Sequence, residues 1–85
     1  MAELTTEARE RLKDSDFAYV DRDGERHLPI QDEEHVRNAI QRFGRTHFDS
    51  KSARHDAAKK ILRAAKHYGI EVSADDDVSR AARAD

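Results

Sequence analysis

The sequence of 85 residues predicts a small α+β domain: a short N-terminal helix, a β-hairpin, two antiparallel helices and a mobile acidic C-terminal tail. Three observations support this fold class. An aromatic and β-branched run at residues 17–20 precedes a turn sequence, and two later stretches carry apolar residues at helical spacing, each followed by a glycine. A chain of this length forms one domain. We assign that domain to residues 1–72 and the tail to residues 73–85.

The N-terminal helix is predicted from a cap and a narrow apolar stripe. The threonines at positions 5–6 can accept the first free backbone N–H groups, and acidic residues in the next turn favour the positive end of a helix. Leu4, Ala8 and Leu12 then fall on one side of the helix. This stripe is wide enough to cover only part of a neighbouring element.

A β-hairpin is predicted after this first helix. Phe17–Val20 supplies strand-forming side chains, and residues 21–24 form a turn sequence in which Gly24 can adopt the left-handed conformation. Residues 25–28 form the return strand. Pro29 has no backbone N–H, so it ends this strand or confines it to an edge. A two-stranded hairpin is marginal alone and must pack against helices.

Two longer helices are predicted from caps, apolar spacing and terminal glycines. Asp32 is the N-cap of the first, which runs to about Phe43 and has Gly44 as its C-terminal cap. Its apolar side chains recur at helical intervals: Val36, Ala39, Ile40 and Phe43. The second helix runs from about residue 50 to 68, and Gly69 ends it. Alanines along the second helix favour close approach of a neighbouring element.

Few large apolar side chains are available to fill the interior. Hydrophobic residues make up 36% of the chain, and many of them are alanines. We therefore expect one modest core without an internal ligand cavity, and we predict no cofactor and no small-molecule substrate. The expected core consists of Phe17, Tyr19, Leu28, Ile30, Val36, Ile40, Phe43, Ile61, Ala65 and Tyr68.

The composition favours an intracellular protein with a heavily solvated surface. Charged residues make up 40% of the chain, yet the net charge is only −2. The absence of cysteine excludes disulfides and thiolate metal sites, and it fits a reducing cytoplasm. No apolar run approaches the roughly 20 residues that span a bilayer, and the acidic start is unlike a signal peptide. We therefore predict a cytoplasmic location.

Three stretches carry a family resemblance. They are Leu-Pro-Ile-Gln-Asp at 28–32, His-Val-Arg-Asn-Ala at 35–39 and Ala-Ala-Lys-His-Tyr-Gly-Ile at 64–70. Together with the aromatic strand, and over residues 12–72, the sequence resembles a small bacterial and phage domain family of unknown function. That family occurs alone and fused to other proteins, including phage structural or maturation proteins. The resemblance therefore implies a portable module and no particular activity.

Asp32, His35 and Asn38 form a polar group at the start of the first long helix. Buried polar side chains need partners, so these residues are interpreted as a structural cluster that ties the helix to the hairpin or to a neighbouring loop. The alternative is that they contact a ligand. No nucleophile with an adjacent base accompanies them, so we predict no catalytic residue and no enzymatic activity.

A metal site is not predicted. The five histidines contain no helical i, i+4 pair, and there is no HExxH or Cys/His pattern. Asp21, Asp23 and Asp32 have the outline of a calcium loop. However, glycine stands at the fourth position instead of the sixth, and Pro29 interrupts the loop. The hairpin interpretation is therefore preferred.

The distribution of charge along the chain favours a binding function. Residues 1–34 contain eleven acidic and five basic residues, whereas residues 45–67 contain seven basic and two acidic residues. Five of these cations are assigned to a candidate contact surface: Lys51, Arg54, Lys59, Arg63 and Lys66. This stripe is either a solvated face, paired in part with the acidic segments, or a contact surface for an acidic partner or a nucleic-acid backbone.

Two functions are predicted from these features. The first is a non-enzymatic protein-interaction module with an unknown partner, which includes self-association. The alternative is a nucleic-acid-binding module whose cations contact phosphates. The negative net charge and the lack of aromatic residues along the stripe weigh against the alternative. No membrane partner is predicted.

Overall fold

The computed structural model describes residues 13–83, and the predicted N-terminal helix lies outside them. The predicted α+β class is confirmed. Two 3₁₀ turns, Asp14–Asp16 and Phe43–Arg45, accompany the longer elements. These are β1 (Phe17–Val20), β2 (Arg26–Pro29), α1 (Glu33–Arg42), α2 (Lys51–His67) and α3 (Asp77–Arg83). None of the helices in this range combines the length and the apolar character that a bilayer crossing requires.

Strands β1 and β2 form the predicted antiparallel hairpin, with Tyr19 opposite His27. The turn is held by Asp21, whose Oδ1 accepts the backbone N–H groups two and four residues later, both at 2.9 Å. Gly24 has a φ of 85°, in the left-handed region that glycine adopts without strain. The hairpin prediction is therefore confirmed, and its turn chemistry lies in the local sequence.

Leu28 in β2 has a φ of 56°, which is unfavourable for a residue with a side chain. Such a conformation costs roughly 1–2 kcal/mol. The side chain is nevertheless buried, with 7% exposure. Full burial of a leucine contributes about 1.5–3 kcal/mol, which offsets the backbone cost. The surrounding core therefore imposes a conformation that the local sequence does not favour.

Helix α1 begins as predicted but ends differently. Asp32 is the N-cap, and its Oδ1 accepts the N–H of His35 at 2.8 Å. The helix ends at Arg42 and continues into a 3₁₀ turn, so the prediction that Gly44 is a left-handed C-cap was wrong. A Cβ at position 44 would collide with the carboxylate of Asp77, the first residue of α3. The atoms closest to Gly44 belong to the Asp77 side chain, so a larger residue there requires that carboxylate to rotate away.

Helix α2 has the caps that the sequence predicts at both ends. Ser50 is the N-cap, and its hydroxyl oxygen accepts the N–H of Ala53 at 3.0 Å. At the other end Gly69 has a φ of 70°, and the N–H of Ile70 donates to the carbonyl of Ala65 at 2.8 Å. This arrangement is a Schellman motif, in which the residue after the glycine packs back onto the helix.

A third helix, α3, packs against α2 where a mobile tail was expected, so the predicted helix count was wrong. Val78 has 0% exposure and Ala81 has 1%. The ring of His55 on α2 also lies 2.9 Å from the carbonyl oxygen of Ala81, through its Nδ1. A search for large apolar side chains misses this helix, because one valine and small alanines at helical spacing are enough to pack closely against the alanines of α2.

The core consists of the hairpin, α1, α2 and α3. Seven of the ten expected core residues are buried: Phe17, Tyr19, Leu28, Val36, Phe43, Ile61 and Ala65. The other three, Ile30, Ile40 and Tyr68, are half-buried. The buried residues that the sequence analysis missed are mainly small: Ala18, Ala39, Ala57, Ala58, Ile70, Val78 and Ala81. Because alanines fill these contacts, the helices approach one another closely.

Candidate binding surface on helix α2

Four basic residues of α2 form one exposed surface, which we call the basic face: Lys59, Lys60, Arg63 and Lys66. On a helix with 3.6 residues per turn, these positions fall within an arc of about 120°. The opposite side of α2 carries Ala57, Ile61 and Ala65, all fully or nearly fully buried. Burial of this apolar side therefore holds the basic face toward solvent.

The basic face forms no ion pair with any acidic residue in the described range 13–83. The acidic residues of this range that pair with arginine have their arginine partners outside α2. Asp49 pairs with Arg22 at 3.6 Å, and Asp14 pairs with Arg26 at 2.9 Å. No acidic side chain of the described residues is in ion-pair contact with these cations, although the exposed Asp56 lies on the same side of α2, three and four positions before Lys59 and Lys60.

The five predicted contact residues do not lie on one surface. Lys59, Arg63 and Lys66 belong to the basic face, and Lys51 is exposed at the first residue of α2. Arg54 is half-buried, and its guanidinium carbon lies 5.1 Å from the centroid of the Phe43 ring. Arg54 therefore packs over the core through a cation–π contact instead of joining the basic face.

Lys60 belongs to the basic face, although the sequence analysis did not select it. The spacing indicates that Lys60 is on this face. Residues three or seven positions apart lie on the same side of a helix, and Lys60 precedes Arg63 by three positions and His67 by seven. By the same rule Arg54 lies on the buried side of α2, because it precedes the buried Ala58 by four positions. A helical wheel anchored on the buried alanines thus separates the exposed cations from the packed one.

Two adjacent open grooves of about 450 Å³ each lie beside α2 and share Ser15 and Lys60. The first is lined by Ser15, Ile30, Lys60, Arg63, Ala64 and His67. The second runs toward the start of α2 and includes Ala53 and Asp56. The groove system therefore follows one edge of the basic face, and its charge changes from acidic to basic along the helix.

Asp32 and His35 are brought together at the start of α1, where His35 is 5% exposed. The ring Nδ1 of His35 lies 2.7 Å from Asp32 Oδ1 and 3.2 Å from the side-chain nitrogen of Gln31. The hydroxyl of Tyr68, just after α2, donates to the carbonyl of Gln31 at 2.8 Å. These contacts tie α1 and the end of α2 to the segment that follows the hairpin.

Asn38 is half-buried and makes no side-chain hydrogen bond within residues 13–83. Burial raises the pKa of Asp32, but the hydrogen bonds from the His35 backbone and ring outweigh it and hold that pKa below its usual value. Asp32 and His35 thus favour the structural interpretation of the polar cluster, and Asn38 is not part of that hydrogen-bond network. The buried His35 Nε2 and Gln31 Oε1 have no partner in the described chain.

A second polar group, absent from the sequence analysis, joins the hairpin turn to the start of α2. The Tyr19 hydroxyl accepts the backbone N–H of Asp49 at 2.9 Å, and the backbone N–H of Arg22 donates to Asp49 Oδ2 at 2.9 Å. The His27 ring stacks on Tyr19 at 5.4 Å and contacts Asp21 Oδ2 at 2.9 Å. No local sequence signal relates Tyr19 to Asp49, because 30 positions separate them.

The titration of this group follows from its hydrogen bonds. The hydrogen bond with His27 lowers the pKa of Asp21 below its usual value. The backbone N–H of Arg22 and the Tyr19 hydroxyl likewise lower the pKa of Asp49. Burial raises the pKa of Tyr19 above its usual value. The carboxylates are therefore favoured in their charged form, which holds the turn.

Asp21, Glu25 and His27 place one potential ligand atom each within 4.8 Å of one another, so they could in principle hold a metal ion. Both oxygens of Asp21 already accept hydrogen bonds, Oδ1 from turn amides and Oδ2 from the His27 ring. The geometry of this group is therefore explained by the turn itself.

We expect the free energy of unfolding to fall as the pH drops below about 4. The folded pKa values of Asp21, Asp32 and Asp49 are lowered, so each carboxylate contributes stability above its unfolded pKa. That contribution is lost as the pH falls through the folded pKa. Urea unfolding at about pH 6 and about pH 3 measures the effect. The double variant D21N/D49N should show a smaller difference between the two pH values, and an unchanged difference would contradict the assignment.

Residues 13–83 form a small α+β domain whose helix α2 carries a basic face that none of these residues covers. The family model for DUF6582, a family of unknown function, matches residues 3–75, and the chain belongs to this family. The matched residues include the hairpin, α1 and α2, and they end before α3. No curated protein and no solved structure matches the chain.

Proposed function

We propose that this protein is a non-enzymatic binding module whose basic face contacts an acidic surface of a partner protein. The observation that carries the proposal is that Lys59, Lys60, Arg63 and Lys66 are exposed on one arc of α2 and have no acidic partner in residues 13–83. Unpaired charges of one sign attract a complementary surface and accelerate association.

Several features favour a protein partner over nucleic acid. The net charge of the chain is −2, so the long-range field of the whole protein repels polyanions. The four residues of the basic face include no aromatic side chain on which a base could stack. A local acidic patch on a folded partner or peptide requires only a local basic surface. The portable character and bacterial or phage origin implied by the sequence resemblance belong to the same proposal, as does a cytoplasmic location.

The non-enzymatic part of the proposal rests on the character of the grooves. Both are open to solvent, whereas catalytic sites usually enclose most of a small substrate and exclude water. The polar groups with the most hydrogen bonds, around Asp21 and Asp32, are used to hold turns and helix ends. Neither group places a nucleophile next to a base.

Affinity capture with matched charge variants tests this function. We expect the wild-type chain, immobilised in a nuclease-treated lysate of the organism that encodes it, to retain an acidic protein. The variant K59E/R63E should bind that protein, once purified, about tenfold more weakly. R45E/R80E changes the net charge equally, and both of its sites are exposed and lie outside the basic face, so it should bind like the wild type. Equal binding by K59E/R63E would contradict the assigned surface.

Nucleic acid is the second candidate function, because four cations within about 120° of one helix also match a row of phosphates. It predicts binding of duplex DNA or RNA with a log–log salt slope near −3.6, or about −0.9 for each of four phosphate contacts. A mobility-shift assay at low salt measures this directly. A shift that is abolished in K59E/R63E and falls with this slope would replace the protein partner by nucleic acid.

A further inference from the structure

The first groove beside α2 combines basic and apolar side chains. Lys60, Arg63 and His67 follow one another at intervals of three and four positions, so they accompany the groove for about 10 Å along the helix axis. Ile30 and Ala64, both half-buried, contribute the apolar part of the lining. A groove of about 450 Å³ that is open to solvent has room for a few side chains of a larger molecule.

The carboxylates around this groove leave its lining basic. No carboxylate of the described residues lines it, and the three that lie within two positions of a lining residue, at positions 14, 16 and 32, are each held by an ion pair or a hydrogen bond. Asp56 is different, because it lines the second groove about 6 Å before Lys60 along α2 and forms no ion pair within residues 13–83. Asp56 weakens the positive potential at Lys60, so an anion is attracted most strongly toward Arg63.

This lining matches a peptide segment that is acidic and aliphatic. The planar guanidinium of Arg63 can bind a carboxylate through two parallel hydrogen bonds. An aliphatic side chain next to that carboxylate removes the apolar surface of Ile30 and Ala64 from water. A nucleic-acid backbone has no aliphatic group for this part of the groove, and a purely acidic segment would leave it exposed. Both parts of the lining are satisfied together only when carboxylates and an aliphatic side chain are neighbours.

We infer that the first groove binds a segment of the partner protein in which carboxylates flank an aliphatic side chain. The carboxylates contact Arg63 and Lys60, and the aliphatic side chain packs against Ile30 and Ala64. This inference rests on the proposed function and specifies which part of the partner is recognised. It also divides the basic face, because two of its four cations line the groove and the other two do not.

A library of short random peptides displayed on phage, selected against the immobilised full chain, tests this inference. We expect the enriched peptides to carry Asp or Glu within one or two positions of Leu, Ile or Val. K60E and K59E are the matched variants, because the two lysines are adjacent and exposed but only Lys60 lines the groove. K60E should bind an enriched peptide about tenfold more weakly, and K59E should change its affinity less than about twofold.

Ala64→Phe tests the apolar part of the groove without changing the charge. It should weaken binding of the same peptide about tenfold, because the ring occupies the space of the aliphatic side chain. Ala74→Phe is the control, since Ala74 is exposed and lines neither groove, and it should bind like the wild type. Circular dichroism and urea unfolding establish that each variant folds. If Ala64→Phe does not fold, the comparison of K60E with K59E decides.

The outcomes separate this inference from the proposed function. A selection without enrichment, or with enriched peptides that lack carboxylates, would overturn the assignment of the groove. Equal weakening by K59E and K60E would also overturn it, because the acidic segment would then contact the basic face without entering the groove. The proposed function would survive that result, since its own test depends on the charge of the face alone. Conversely, the peptide selection uses no lysate, so it stands if the partner capture fails.

Discussion

Replacement of Phe43 by alanine is expected to lower the free energy of unfolding by about 3–5 kcal/mol. The ring is 1% exposed and lies 5.2 Å from the Phe48 ring, with the Arg54 guanidinium 5.1 Å above it. Alanine removes the buried ring, leaves a cavity between the helices and takes away the cation–π partner of Arg54. Urea unfolding followed by circular dichroism measures the loss.

Two further variants separate these contributions. Phe43→Leu retains most of the buried volume and should cost much less than alanine. Phe48→Ala should also cost less, because Phe48 is half-buried. A loss of less than about 1 kcal/mol for Phe43→Ala would contradict the central position of this ring in the core.

Truncation after Asp76, which removes α3, is expected to lower the free energy of unfolding by at least about 2 kcal/mol. Full burial of a valine alone contributes about 1.5–3 kcal/mol, and Val78 has 0% exposure. The deletion also uncovers the side of α2 that α3 covers and leaves the His55 ring without the Ala81 carbonyl. A lower urea midpoint and a larger exposed apolar area, detected by dye binding, are the expected readouts.

Removal of residues 84–85 alone is the control, and it should leave the urea midpoint unchanged. Val78→Ala keeps the helix but removes two buried methyl groups, so it should lie between wild type and truncation. If truncation after Asp76 left stability unchanged, the domain would end at residue 72, as the sequence analysis proposed. The position of that boundary stays a prediction until this measurement is made.

The elements predicted correctly are those whose information is local. The hairpin turn depends on Asp21 and Gly24 within four positions, and both caps of α2 depend on residues next to the helix ends. By contrast, the left-handed backbone of Leu28 is imposed by core packing, and Asp77 against Gly44 is a contact between distant positions. Such features depend on tertiary structure, so periodicity and capping rules do not predict them.

The candidate surface was predicted only in part, because the sequence pattern shows local helix geometry but not contacts with other elements. Spacing by four correctly placed Lys59 and Arg63 on one side of α2, because both positions are set by the helix alone. Whether Arg54 belongs to that surface depends on which side of α2 is buried. Arg54 packs over the ring of Phe43, a residue of the 3₁₀ turn after α1, and this contact is not visible in the sequence of α2. The link between Tyr19 and Asp49 lay beyond any local pattern.

The close approach of α3 to Gly44 has an evolutionary consequence. A side chain at position 44 would require the Asp77 carboxylate, the far end of an exposed side chain at the start of α3, to rotate away. The family match ends at residue 75, before this helix begins. In relatives that lack a helix equivalent to α3, position 44 is therefore free to diverge. In those that have it, substitutions at positions 44 and 77 are expected to occur together.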